Sequence, residues 1–318
     1  MHALQLKGPF DFDHRTDAPT PQPGPGQISV RLAAAAICGS DMPKVRSTAD
    51  PRSGTTGFPI HECVGYLLDA DPATGLRPGS RVLAMPVQEQ GLAEIYLADT
   101  AATHTVAGDH LTDAQATLIQ PIATVLYAAG KLGADLTGRR VTVLGLGSIG
   151  LLAAHVLSRR GAVVTGVDPI HRDPAITAAF GVIHHVRDTA AAWARRDPEP
   201  AEICLEAVGH QQRTLRDAIT LTGHSGTVLA MGVPDEPDYV VPFETLLRRN
   251  LTLIGSITPP WQDWFGPAED YLCRHLDELA LLLTHRFTVI DVAAAYQLYD
   301  RPAADRLKVI LTADWTRS

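Results

Sequence analysis

Cys38 stands in the stretch AICGSDMPK (36–44), close to Ser40 and Asp41, and FPIHECVG (58–65) supplies His61 and Glu62. A thiolate, an imidazole and a carboxylate are all zinc ligand types, and three protein ligands plus a water make an open, catalytic site. Spacing alone leaves a second reading open, in which Cys38 is buried filler and His61 a satisfied core histidine. Neighbours in a regular strand also face opposite ways. His61 and Glu62 therefore reach one ion only if the backbone bends there, or if one of them acts from behind a direct ligand. Cys63, in the same run, is close enough to compete for metal, but its apolar neighbours favour burial. With Cys204 and Cys273 it completes a set of four cysteines that has no disulfide-framework spacing. That pattern suits a reducing cytoplasm.

A second constellation lies in VTVLGLGSIGLLAAHVL (141–157), where Gly145, Gly147 and Gly150 follow a strand and open a helix in G-x-G-x-x-G spacing. The first glycine permits the tight turn and the second lets backbone approach a pyrophosphate. The third lets helix and strand pack closely, and the helix N-terminus offers N–H groups to the phosphates. Asp168 closes the next strand, 23 residues after Gly145. A carboxylate there accepts from ribose hydroxyls and repels a 2′-phosphate, so NAD is favoured over NADP. His171 and Arg172, just beyond, could soften that rejection.

These residues need elements to hold them. The 318 residues fit two domains, and 45% hydrophobic with 19% charged residues describes a globular chain. A net charge of −8 argues against nucleic acid or an acidic membrane as main partner. No leader pattern opens the chain and no apolar run is long enough to span a bilayer. The first 110 or so residues read as short strands between turns, with ISVRL (28–32) alternating and 69–85 as turn, turn and strand. From about residue 140, six apolar strands at 141–144, 162–167, 182–186, 202–208, 226–231 and 251–256 alternate with helices. That rhythm indicates a parallel sheet covered on both faces. A long helix near 268–285, a short one around 291–300 and the strand KVIL (308–311) complete the chain. RDPEP (196–200) reads as a helix-ending turn.

Several motifs occur together in one order: CGSD (38–41), HE in FPIHECVG, PGSRV (78–82), QPIATVLYAAGKLG (120–133), VLGLGSIG (143–150), RRNLTLIGS (248–256) and LKVIL (307–311). In these the chain resembles the zinc-type medium-chain dehydrogenase/reductases over essentially its whole length. It is most similar to the alcohol, polyol and sugar dehydrogenases of the sorbitol and threonine dehydrogenase kind. The resemblance implies an α/β fold, with a GroES-like, mostly-β catalytic domain (1–120 plus 287–318) and a Rossmann NAD-binding domain (121–286) carrying a doubly wound six-stranded parallel sheet. It implies Cys38 and His61 as zinc ligands, and Glu62 as a third ligand or one that exchanges on and off the metal. Ser40 would begin proton transfer from the substrate hydroxyl, and Asp41 would orient His61. Thr124 would pack near the nicotinamide, Ser148 and Ile149 would join the glycines on the cofactor, and Lys308 would approach the pyrophosphate. One catalytic Zn2+ and NAD are the implied cofactors, a small alcohol or ketone the substrate, and a homodimer or homotetramer the assembly.

The sequence departs from that pattern in several places. Residues 81–111 contain no cysteine, so the family's structural zinc lobe is read as deleted. Gln120 stands where Glu or Cys is usual, Ile60 where glycine precedes the histidine, and Pro43 where a relay histidine is frequent. Ser40 must then pass its proton to water or a cofactor hydroxyl. Two other functions stay in view: a zinc-independent NAD(P)H-dependent carbonyl or enoyl reductase, and a dinucleotide-binding protein without catalysis. Among the remaining residues, His155 reads as a packed or partly exposed residue rather than a ligand, and His184 and His185 as solvated or edge histidines. Trp261 and Trp264 read as lining a substrate cleft or a subunit contact, or as cover for a core edge, and the charges of AEDYLCRHLDELA (268–280) as a solvated helix face.

Overall fold

The computed structural model describes residues 1–71, 74–196 and 198–316. Parts of the turns expected at 69–85 and 196–200 fall on Pro72, Ala73 and Asp197, outside the described residues. In the first half, β1 (Ala3–Gly8) and β2 (Asp11–Arg15) form an antiparallel pair. β3 (Gln27–Ala36) buries Ile28, Val30 and Leu32, the three residues whose alternation marks it as a strand. It pairs antiparallel with β4 (Glu62–Ala70), which pairs with β5 (Arg81–Pro86) and that in turn with β6 (Ile95–Thr105). β6 also pairs back onto β3, so these four strands close on themselves and leave little open edge.

In the second half the near-continuous apolar runs become β7 (Arg140–Leu144), β8 (Val163–Val167), β9 (Val182–Val186), β10 (Ala201–Glu206), β11 (Thr222–Ala230) and β12 (Thr252–Gly255). All pairings among them are parallel, in the order β12-β11-β10-β7-β8-β9. The chain thus starts in the middle of the sheet and winds outward in both directions. Such a sheet opens a crevice beyond the carboxyl ends of its strands, here between β7 and β10. Helices Ile119–Gly130 and Ser148–Arg159 pack over this region. Val64 and Leu83 of the β-domain share one apolar cluster with Ile122, Leu126, Phe265 and Leu272, so the two halves have a continuous core.

The end of the chain returns to the first half, with one correction. The long helix expected near 268–285 stops earlier: helix Trp261–Arg274 gives way to the short helix Leu276–Leu279. Leu283–Thr288 is then a strand, β13. Its residues LTHRFT gain their ladder from β14 (Lys308–Thr312), a parallel partner 25 residues or so onward that local periodicity does not reveal. β14 pairs antiparallel with β3, completing the order β13-β14-β3-β4-β5-β6. No helix among the described residues is long and apolar enough to cross a membrane.

Two buried charges fasten the halves to each other at two places. Glu269 Oε1 accepts from Ala107 N and Gly108 N (2.8 and 2.7 Å), and its Oε2 lies 2.6 Å from His104 Nε2. Glu269 is 6% exposed, so it departs from the solvated face expected for 268–280. Arg172 Nη1 donates to the carbonyls of Ala303, Ala304 and Arg306 at 2.9 to 3.1 Å.

Candidate active site and dinucleotide cleft

The path from β3 to the site is short. The strand ends at Ala36, Ile37 N is held by Val309 O at 2.9 Å, and the chain turns through Cys38 into a tight 3-10 turn, Gly39–Asp41. Asp41 fixes that turn from beneath. Its carboxylate is fully buried, and Oδ2 accepts from Cys38 N at 2.9 Å. Its Oδ1 lies 3.1 Å from His61 Nδ1, close but poorly aligned for a hydrogen bond. Burial resists charging His61, but the Asp41 carboxylate and then Cys38 outweigh it, holding the imidazole well above its ordinary pKa.

His61 sits just ahead of β4 and Glu62 opens it, so the alternation of a regular strand does not separate them. One ligand atom from each of Cys38, His61 and Glu62 lies within 4.8 Å of the others. Ser40 Oγ donates to Cys38 Sγ at 3.2 Å, which puts the hydroxyl beside the same point. Cys63 takes no part. It is buried in the β-domain core, where burial pushes its thiol well up and keeps it protonated.

Glu62 is the residue that sequence reasoning understood least. It is 1% exposed, and Oε2 accepts from the Lys308 ammonium, itself 2% exposed and donating also to Ile37 O at 3.3 Å. Burial works against the charged form of Lys308, but Glu62 more than restores it, so the amine stays an ammonium. A buried carboxylate needs a counter-charge, and Lys308 supplies it, a use of this lysine that the sequence did not predict. Glu62 Oε1 remains buried with no partner. A carboxylate oxygen left bare beside a thiol and an imidazole fits a divalent cation, so these three residues suit zinc on the chemistry of their donors.

A cleft of about 490 Å³ opens over this cluster, lined by Cys38, Ser40, His61, Glu62, Gln120 and Thr124 from one side. Ile149, Val208, His210, Met231 and Trp261 face it from the nucleotide-domain side. Trp261 is thus cleft lining, whereas Trp264 packs edge-on against Tyr127 with ring centres 5.6 Å apart. Thr124 is 6% exposed and its hydroxyl donates to Gln120 O at 3.3 Å. His210 was absent from the sequence reading. Its Nε2 lies 3.2 Å from Gly39 O, joining the β10 loop to the Cys38 turn.

The glycine turn meets each demand of dinucleotide binding. Gly145 has φ +87°, a left-handed conformation that side chains resist. A Cβ on Gly150 would sit 1.8 Å from Gly145 O, whereas one on Gly147 would meet nothing of the protein within 4 Å. That open space faces the first turn of helix Ser148–Arg159, where Ser148 Oγ is buried and unpartnered. A diphosphate fits such a place. Asp168 is 6% exposed and spends one lone pair of each oxygen on backbone, Oδ2 on Leu146 N and Oδ1 on Ile170 N, both at 2.7 Å. Arg172 spends Nη1 on three carbonyl acceptors, yet its buried guanidinium still feels the Asp168 carboxylate, which works against the loss of charge that burial favours. Glu206 was also missed. Its Oε1 accepts from Val208 N, Gly209 N and Thr214 Oγ1, each at 2.9 Å, and its Oε2 from Gly232 N at 3.2 Å. It knits the loops after β10 and β11 into a floor for the cleft; a Glu ending a parallel strand, in EICLEAVG, was the available signal.

Residues 24–120 match the alcohol dehydrogenase GroES-like domain and residues 148–271 the zinc-binding dehydrogenase domain, together more than two-thirds of the chain. The chain belongs to the zinc-type medium-chain dehydrogenases. It is similar to an L-threonine 3-dehydrogenase of Streptomyces avermitilis, 25% identical over 336 residues, covering 94% of this chain and 95% of that protein. A sorbitol dehydrogenase of Halalkalibacterium halodurans is 23% identical, with 93% and 94% covered. Among solved structures, the alcohol dehydrogenase TADH from Thermus sp. ATN1 superposes with a TM-score of 0.83 at 22% identity, covering 99% of this chain and all of that one. The fold is accordingly the GroES-like β domain joined to a Rossmann sheet, and the protein is an oxidoreductase of the alcohol and polyol dehydrogenase type.

Proposed function

We propose that this dehydrogenase interconverts a secondary alcohol and its ketone with NAD, the alcohol belonging to a polyol, a sugar-like ring or a hydroxy-amino compound. The observation that carries this reading is the meeting of Cys38, His61 and Glu62 within 4.8 Å at the floor of a cleft that Thr124 and Ile149 also line. Zinc held by these three would polarise the substrate oxygen, and a nicotinamide against Thr124 would exchange hydride with the neighbouring carbon. The chain's own residues do the rest. Asp41 fixes the turn that presents Cys38 and Ser40, and its charge steadies His61. Ser40 takes the substrate's hydroxyl proton and, with Pro43 in the relay position, passes it to water or a cofactor hydroxyl. Lys308 holds Glu62 by Oε2 while leaving Oε1 free to meet or release the metal. Division into 1–120 plus 287–318 and 121–286 is part of this reading, with the returning sheet starting at Leu283.

Chelation followed by metal readdition tests the proposal. Removing the zinc held by Cys38, His61 and Glu62 should abolish alcohol oxidation, by roughly 10²-fold or more, and zinc should restore it. Full turnover in the metal-free protein would instead support reduction of a carbonyl or activated double bond without zinc. For the coenzyme, kcat/KM should favour NAD over NADP, and Asp168→Asn should narrow the ratio by about tenfold, since it removes the charge that repels a 2′-phosphate. Parity of the two coenzymes in the unaltered protein would overturn the NAD assignment. A homodimer or homotetramer completes the reading: β12 is a sheet edge, and Phe243, Leu247 and Leu253 beside it are exposed by 69%, 66% and 40%. Light scattering in solution checks it.

A further inference from the structure

Far along the helix that starts at the glycine turn, His155 is fully buried, yet its Nε2 has no hydrogen-bond partner. Its other ring nitrogen, Nδ1, lies 2.7 Å from Tyr271 Oη. Nε2 faces Glu278 Oε2 at 3.5 Å, and the same oxygen lies 3.4 Å from His275 Nδ1. One ligand atom from each of His155, His275 and Glu278 falls within 4.8 Å of the other two. Glu278 Oε1 is occupied by the Arg159 guanidinium, which leaves Oε2 for the space between the imidazoles. Glu278 and His275 are partly exposed, with side chains 32% and 22% accessible, so the space is reachable from solvent.

When Nδ1–H donates to Tyr271, Nε2 carries a lone pair aimed at a carboxylate oxygen. Two acceptors then face each other with nothing between them, and a bridging cation resolves the conflict. Tetrahedral ligands about 2.1 Å from a zinc ion lie about 3.4 Å from one another, close to the two separations seen here. Tyr271 would fix the tautomer of His155 as groups behind a metal ligand do. We propose that His155, His275 and Glu278 form a second divalent transition-metal site, open to one water and separate from the Cys38 cluster. Two imidazoles and a carboxylate suit Zn2+, Co2+ or Ni2+, and disfavour Mg2+ and Ca2+, which want oxygen. The ion would tie helix Ser148–Arg159, whose start holds the dinucleotide turn, to the junction of helices Trp261–Arg274 and Leu276–Leu279.

Co2+ tests the site in the full-length protein, because thiolate–Co2+ charge-transfer absorption marks only the Cys38 cluster. The proposal expects His275→Ala to lower the bound Co2+ by one ion per chain with the thiolate band intact. It expects Cys38→Ser to keep one ion whose spectrum has ligand-field bands but no thiolate band, and the double variant to keep none. Glu278→Gln, which preserves size, should weaken that remaining ion at least tenfold, with circular dichroism reporting an unchanged fold. Equal Co2+ content in the unaltered protein and His275→Ala would overturn the proposal, and so would a Cys38→Ser protein whose remaining ion survives both changes. Failure of the Cys38 cluster to bind metal shows differently, as a missing thiolate band in the unaltered protein.

Discussion

The glycine turn and the Cys38 cluster both line one cleft, but they are built on opposite principles. The turn is a backbone site: Gly145, Gly147 and Gly150 lie within six residues, and their work is to have no side chain. The cluster is a side-chain site drawn from two separate segments, and its counter-charge, Lys308, lies 246 residues from Glu62. A backbone site is specified locally and can be altered without disturbing the rest of the fold. A buried ionic site depends on every member, because removing one partner leaves the other charged and dry.

Breaking the ionic side should show the largest effect. Lys308→Met should destabilise the protein by about 3–5 kcal/mol in urea unfolding, since Glu62 would be left as an uncompensated buried charge. Adding Glu62→Gln should recover much of that loss while metal affinity stays low. Independent, additive effects of the two changes would mean that the pair is not coupled. Glu206→Ala comes next, at about 3 kcal/mol, because Val208 N and Gly209 N would lose the one carboxylate oxygen that accepts from both. It should also raise the dinucleotide Kd, as the loops after β10 and β11 loosen.

The backbone site then sharpens the contrast. Gly150→Ala should cost about 1–3 kcal/mol, because its Cβ would press on Gly145 O and the helix must shift from the strand. Gly147→Ala should leave stability unchanged within about 0.5 kcal/mol yet weaken dinucleotide binding tenfold or more, since the added methyl enters only the open space. Equal stability losses for the two would show that the open space beside Gly147 is not reserved for ligand. Fluorescence titration with NADH and urea unfolding of each variant separate these outcomes.

The same division explains what could be read from the sequence. The six strands of the parallel sheet were legible because each is an apolar run bounded by helical periodicity, and they fall within a few residues of the expected spans, except that β11 starts at Thr222, four residues early. The glycine turn was legible for the same local reason. β13 was not: LTHRFT follows a helix without a turn signal, and only its pairing with β14 makes it a strand. Cys38, His61 and Glu62 were legible as ligand types, but the role of Lys308 was not, since no local pattern shows which carboxylate a distant lysine will meet. Glu269 read as part of a charged surface because helical spacing does not say that Ala107, Gly108 and His104 will come to it. His155 did fit its expected packing, though not the unpartnered nitrogen it carries inward.

The fastenings made by Glu269 and Arg172 limit how the cleft can breathe. Separating the halves at either place would strip a buried carboxylate or a buried guanidinium of its partners, a penalty that thermal motion does not readily meet. Widening the cleft to admit a coenzyme with both fastenings intact must be taken up at weaker joints, and the hydrogen bond between His210 and the carbonyl of Gly39 is one that parts at smaller cost.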